Sequence, residues 1–143
     1  MRLDGGDAIL AHMAAPSSVI PPAASPGVYV HIPFCHHRCT YCDFNVYAGM
    51  RSWHERYARA VAREMSESRL CLPPEGDGMR QAGVATIYFG GGTPSLVPVE
   101  HIALILDAIR AAFNVRPNAE ITLEANPRPE DDGYFARLRI GLE

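Results

Sequence analysis

The sequence predicts an α/β fold of about three βα units with parallel strands, and three observations carry that prediction. Strand-like and helix-like segments alternate in the order β-loop-α three times over. The central strand segment, Val84-Ala85-Thr86-Ile87-Tyr88-Phe89, is a nearly continuous apolar run, as expected of a parallel strand covered on both faces. Each strand segment also ends in residues able to bind a ligand or metal, and parallel α/β folds gather their sites at the carboxyl ends of strands.

Taken in order, residues 1–26 carry Pro16, Pro21, Pro22 and Pro26 among Ala and Ser, with little periodicity. They read as a disordered leader, in which Ala8 to Ala15 have the makings of a short helix. Val28-Tyr29-Val30-His31-Ile32 is β-branched and aromatic, fits a strand, and is stopped by Pro33. A cysteine-rich loop follows to about Ser52. Tyr57, Val61 and Met65 recur at fourfold spacing and mark a helix, with Glu55/Arg59 and Arg63/Glu67 as charge pairs on its exposed side. Residues 70–83, with two prolines and three glycines, read as a loop.

After the apolar strand and Gly90-Gly91-Gly92-Thr93-Pro94, a second helix shows its core face at Ile102, Ile105, Leu106, Ile109 and Phe113. Glu120 to Glu124 alternates as a third strand, ended by Asn126-Pro127. Glu130 to Leu138 opens a third helix, its acids suited to the helix dipole. A fourth strand is expected about Ile140. Three parallel strands leave two open edges, so residues 27–143 read as the N-terminal part of a larger, truncated barrel-like domain. Such a part would leave Ile87, Phe89 and Leu123 under-covered and the chain prone to associate.

Composition narrows the function classes. The 143 residues are 48% apolar and 20% charged with a net charge of -3, and the mean hydropathy is -0.06. This is no strongly basic nucleic-acid binder, and no apolar run approaches the ~20 residues of a membrane-spanning helix. The acid-bearing N-terminus is not a secretory signal, so a cytoplasmic location is expected. Three of the four cysteines fall within eight residues, which points to metal binding rather than a disulfide framework.

Cys35, Cys39 and Cys42 form C-x3-C-x2-C after the first strand. Thiolates are soft ligands that suit iron–sulfur clusters or zinc. On a four-iron cube, three thiolates leave one iron open to a ligand. A zinc site would be completed by His31, His36 or His37, whereas Cys71 sits in a distant loop. Gly90, Gly91 and Gly92 lack Cβ atoms, so a zwitterionic head group can approach their backbone, unless the run is simply a tight turn. Glu124, ending the third strand, points into the same mouth or is a solvated carboxylate. His54 and His101 read as exposed residues at helix starts.

The residues Tyr29-Val30-His31-Ile32-Pro33-Phe34-Cys35, Cys39 and Tyr41-Cys42, then Phe89-Gly90-Gly91-Gly92-Thr93-Pro94-Ser95 and Ile121-Thr122-Leu123-Glu124-Ala125-Asn126-Pro127, resemble the radical S-adenosylmethionine enzymes. Within that superfamily they are similar to the oxygen-independent coproporphyrinogen III oxidase group, in the same order, over about residues 27–138. The resemblance implies a partial radical SAM (β/α) barrel and a 4Fe-4S cluster on Cys35, Cys39 and Cys42. It implies S-adenosylmethionine on the open iron, with Tyr29, Tyr41, Gly91, Gly92, Thr93 and Glu124 around it. One electron from an unidentified donor would cleave the sulfonium to a 5′-deoxyadenosyl radical.

One departure separates two activities within that group. The oxidases, which convert two propionates of a tetrapyrrole to vinyls, carry a further cysteine two residues after the triad. Here that place is Phe44. Cys42-Asp43-Phe44 resembles instead the HemW-type heme chaperones, which bind heme through their C-terminal half and pass it on. The expectations are therefore a heme chaperone, with a coproporphyrinogen dehydrogenase or a zinc-binding module as alternatives.

Overall fold

The computed structural model describes residues 26–71, 83–126 and 133–142. Its centre is a parallel sheet of three strands, β1 (Gly27–Ile32), β4 (Val84–Gly91) and β5 (Val115–Leu123), in the order β1-β4-β5. Two-residue strands β2 (Phe34–Cys35) and β3 (Tyr47–Ala48) form a separate parallel pair that closes the cysteine loop. The helices are α1 (His54–Cys71), α2 (Val99–Ala112) and α3 (Tyr134–Leu142). Parallel pairing requires a crossover between neighbouring strands, and α1 and α2 supply the two crossovers of the sheet.

The helices pack on one face of the sheet. Val30, Ile32, Ile87 and Phe89 from the strands meet Ala58 and Val61 of α1, Ile102, Ile105, Leu106 and Ile109 of α2, and Leu138 of α3 in one core. Of the predicted helix stripes, Val61, Ile102, Ile105, Leu106 and Ile109 are buried. Tyr57, Met65 and Phe113 are partly buried against the core, and Phe113 lies just past the end of α2. The pairs Glu55–Arg59 and Arg63–Glu67 lie exposed on α1 as expected. Both pairs are solvent-screened and add little to stability. A buried Tyr134 hydroxyl donates to the Val97 carbonyl at 2.9 Å and ties α3 to the chain entering α2.

Several expectations need correction. Among the described residues the central strand is covered on one face only: Ile87 and Phe89 are fully buried, while Thr86 and Tyr88 on the alternate face are exposed. A pleated strand sends successive side chains to opposite faces, and the described helices all serve one of them. The expected under-coverage of Ile87 and Phe89 therefore does not occur, although Leu123 on the edge strand is only half-buried. β5 begins five residues earlier than predicted. Its register with β4 shifts between Val84↔Val115 and Thr86↔Glu120, and the extra residues around Pro117 make the irregularity. Proline lacks the ladder N–H and is tolerated there because β5 is an edge strand.

α1 extends to Cys71, two residues into the predicted loop, and α3 occupies Tyr134–Leu142, where a fourth strand was expected to begin. The expected leader, most of the 70–83 loop and the acidic start of the third helix lie outside the described residues.

His54 is the clearest misreading. It opens α1 but is buried at 4% exposure, its ring 4.5 Å from that of Phe34. His101, at the start of α2, is half-buried with its Nδ1 shut away from solvent. The amphipathic pattern did not reveal this because His54 packs on Phe34 of β2 and lies near His101 of α2, contacts that exist only in three dimensions.

Two expectations follow from this packing. Leu106 is fully buried, so Leu106→Ala should lower unfolding stability by about 2–5 kcal/mol, against roughly 0.5 kcal/mol or less for exposed Asp107→Ala; denaturant titration compares them. Burial, with nearby His101 and Arg51, holds the His54 imidazole below its ordinary value near 6.5. The unfolded chain therefore binds the extra proton first, so stability should fall as the pH drops through about 6.5 and level off once the folded-state imidazole is protonated as well. The slope should shrink in His54→Gln.

Candidate functional site

The register levels the strand ends. Ile32 pairs with Gly91 across β1 and β4, and Phe89 pairs with Leu123 across β4 and β5. The residues following each strand consequently meet at one edge: Cys35 after β1, Gly92 and Thr93 after β4, and Glu124 and Asn126 after β5.

Cys35 is the anchored thiol. It lies in β2, with the Thr93 N–H donating to the Phe34 carbonyl at 2.7 Å and the Gly49 N–H to its own carbonyl at 3.3 Å. The Thr93 hydroxyl reaches its Sγ at 3.8 Å, and Asn126 Nδ2 donates to the same hydroxyl at 3.5 Å. Gly92 is packed beneath it: a Cβ there would stand 2.6 Å from the Phe34 carbonyl oxygen and 3.0 Å from Cys35 Sγ. Cys39 and Cys42 sit on the loop between β2 and β3, joined by a turn in which the Cys42 N–H donates to the Cys39 carbonyl at 3.2 Å.

All three thiols are free and partly exposed. Among the described residues, no three His, Cys, Asp or Glu side chains converge closely enough to hold a metal. The zinc alternative loses one of its candidates. His31 Nε2–H donates to the Asn45 carbonyl at 3.2 Å, which leaves Nδ1 to accept the Tyr29 hydroxyl at 3.2 Å. Both nitrogens are occupied, while His36 and His37 are exposed.

The glycine run does something other than expected. Gly91 N–H donates to Glu124 Oε2 at 3.0 Å, Gly92 N–H to the Ile32 carbonyl at 2.8 Å, and Thr93 N–H to that of Phe34. These donors are spent inside the protein, so the run cannot offer them to a carboxylate. The space left by the missing side chains is also used internally. Gly91 has φ +113°, accessible to glycine at little cost, and a Cβ there would meet the His31 ring at 2.6 Å.

Glu124 is the best-held group. Its own N–H donates to the Phe89 carbonyl at 3.0 Å, and its carboxylate accepts from Gly91 N–H and from the Tyr88 hydroxyl at 2.7 Å. That bond pushes the Tyr88 phenol above its ordinary value, because ionising it would lose the bond and set two negative charges together. Tyr88 stacks on Tyr29, centroids 5.9 Å apart. Tyr41 is 87% exposed beside Cys39, which raises its phenol pKa; it lies outside the Glu124 network.

Sequence reading thus named Tyr29, Cys35, Gly91, Gly92, Thr93 and Glu124, all brought to one edge. It missed Tyr88, hidden in an apolar run, and Asn126, read as a strand stop. Tyr57 packs against the core as expected, and its hydroxyl also donates to the His31 carbonyl, clamping α1 to the end of β1.

The radical SAM superfamily matches residues 29–140, and the chain belongs to it. It is 39% identical over 118 residues to the heme chaperone HemW of Mycobacterium tuberculosis, covering 79% of this chain and 28% of that protein. It is 38% identical over 123 residues to the oxygen-independent coproporphyrinogen III oxidase of Bradyrhizobium diazoefficiens, covering 86% and 26%. Among solved structures it is similar to the radical SAM enzyme coproporphyrinogen III oxidase (HemN) of Escherichia coli. That likeness has a TM-score of 0.70 and 26% identity, over 85% of this chain and 26% of that one. The chain therefore spans between a quarter and three-tenths of the length of these relatives.

The packing beneath Cys35 can be tested directly. Gly92→Ala, with no backbone strain to confuse the result, should displace the Phe34 carbonyl or the thiol. The expected cost is about 1–3 kcal/mol, as for other overpacked sites, with faster labelling of Cys35 by a thiol reagent.

Proposed function

We propose that this is a radical SAM protein of heme metabolism, with the cluster and S-adenosylmethionine held at this edge. The observation that carries the reading is the anchored Cys35 thiol, set against Gly92 and Thr93 and followed by two further free thiols on one closed loop. Three soft, unpaired ligands fit a 4Fe-4S centre, and membership of the superfamily implies that centre and S-adenosylmethionine in general. When bound, the group supplies one electron to the sulfonium of S-adenosylmethionine.

In this reading the chain's residues divide the work. Cys35 supplies a fixed ligand, and the β2–β3 closure returns the loop so that Cys39 and Cys42 can be drawn toward it. Glu124, held on both oxygens, accepts from hydrogen-bond donors of S-adenosylmethionine. Tyr29 and Tyr88 give a flat apolar wall beside it. With its N–H groups spent, the glycine run contributes carbonyl oxygens, which suit an ammonium rather than a carboxylate. Tyr41 would join the site as the loop closes.

We infer a heme chaperone, because Phe44 stands where the oxidases have their further cysteine, and relatives named for heme chaperones share 36–39% identity with the chain. The coproporphyrinogen oxidase reading is supported by its own named relative at 38%. Either activity takes a tetrapyrrole as ligand. Partly exposed free thiols suit a reducing compartment, and the inferred location is the cytoplasm. Among the described residues no helix is long and apolar enough to cross a membrane.

The test is elemental. Anaerobically reconstituted protein should hold about four irons per chain with matching sulfide. Cys35→Ala, Cys39→Ala and Cys42→Ala should each abolish the cluster's reduced-state paramagnetic signal, and Cys71→Ala should leave it. Stoichiometric zinc, or loss of the cluster with Cys71, would overturn the assignment. For a protein that also carries the portions of the relatives this chain does not span, a stable heme complex with no decarboxylation of coproporphyrinogen III is expected.

A further inference from the structure

Glu124 would be a poor recognition element if it were free to rotate. A glutamate has three side-chain torsions, and each rotamer lost on binding subtracts from affinity. Here the carboxylate is fixed beforehand by two donors that come from one strand, Tyr88 Oη at 2.7 Å and Gly91 N at 3.0 Å, while Glu124 itself follows the neighbouring strand. Each oxygen accepts one of them. A carboxylate has about four lone-pair positions, so each oxygen keeps room for another donor.

The Tyr88 ring is itself built into place. It stacks on Tyr29 at 24° between planes, and Tyr29 is held through its hydroxyl by His31. Gly90 makes room for the pair: a Cβ there would fall 2.6 Å from Tyr88 Cε1 and 3.0 Å from Tyr29 Cε2. The first glycine of the run thus admits two aromatic rings. Tyr88 is 39% exposed on the face opposite the core, so the fold gains little from its hydroxyl.

We propose that Tyr88 is a positioning residue that, together with the Gly91 N–H, presents Glu124 as a fixed, acceptor-only group to the hydroxyl or ammonium donors of the bound ligand. This rests on the reading of the edge as the S-adenosylmethionine site. Tyr88 acts through Glu124 and selects against ligand groups that are themselves anionic at that point.

Two measurements test it. The first is calorimetric binding of S-adenosylmethionine to the anaerobically reconstituted protein, with iron assayed on the same sample. Tyr88→Phe keeps the ring stack and removes the hydroxyl. It should weaken binding roughly tenfold, the scale of one hydrogen bond to an ionised group, at unchanged iron content. Against a Glu124→Ala background, the same substitution should have little further effect. Unchanged affinity in Tyr88→Phe, or an equal loss in both backgrounds, would overturn the positioning role.

The second measurement needs no ligand. In protein labelled with ¹³C at the tyrosine ζ carbon, the resonance lost in Tyr88→Phe identifies Tyr88. Its phenol should ionise at lower pH in Glu124→Ala than in the wild type, and no change would overturn the coupling. Wild-type protein that holds its cluster but does not bind S-adenosylmethionine would overturn the reading of the site, and with it the ligand named here. Failure of the titration alone would remove only Tyr88.

Discussion

The pairing of β4 with both β1 and β5 is the interaction on which the site depends. Parallel strands hydrogen-bonded in this register bring Ile32, Gly91 and Leu123 to the same edge, although more than ninety residues separate the first from the last. The side-chain period of a strand is two, so a slip of one residue in β4 would turn Phe89 out of the core and Tyr88 into it. Core and site therefore stand or fall on the same register, and the fully buried Ile87 and Phe89 specify it.

That alternation divides the sheet into two chemistries. One face is a buried apolar core to which three helices contribute. The other carries Thr86 and, beside it, Tyr29, His31 and Tyr88, the last three linked by hydrogen bonds and stacking that run from the cysteine loop at Asn45 to Glu124. The linkage is mutual: His31 holds both the loop and Tyr29, and Gly91 can approach His31 only because it has no side chain. Three consecutive glycines thus serve three different neighbours. Gly90 admits two tyrosine rings, Gly91 admits an imidazole, and Gly92 admits the Cys35 thiol.

Likeness to HemN establishes the architecture, and architecture does not choose between a chaperone and an oxidase. The proposed distinction rests on Phe44, which is exposed on the cysteine loop, and the chain does not span the greater part of either kind of relative. The loop's chemistry is correspondingly uneven. Cys35 is held by backbone hydrogen bonds within a strand pair, whereas Cys39 and Cys42 share only a turn. The proposed ligand set thus has one member fixed in a strand pair and two on the loop.

By itself the sequence determined the element types, their order, the buried stripes of α1 and α2, and the three motifs at the strand ends. These follow from local regularities: the periods of helix and strand, the stop at Pro33, and the spacing of three thiols. Tertiary structure alone decided what faces what. The burial of His54 against Phe34 comes from the crossing of α1 over the loop strand. The irregular start of β5 comes from its pairing with β4 across a proline. The internal use of the glycine N–H groups depends on partners at Ile32 and Glu124, which no local pattern links to them. Tyr88 was hidden for the same reason. In the chain it is one apolar residue among six, and only the sheet turns it away from the core and within reach of a carboxylate thirty-six residues ahead.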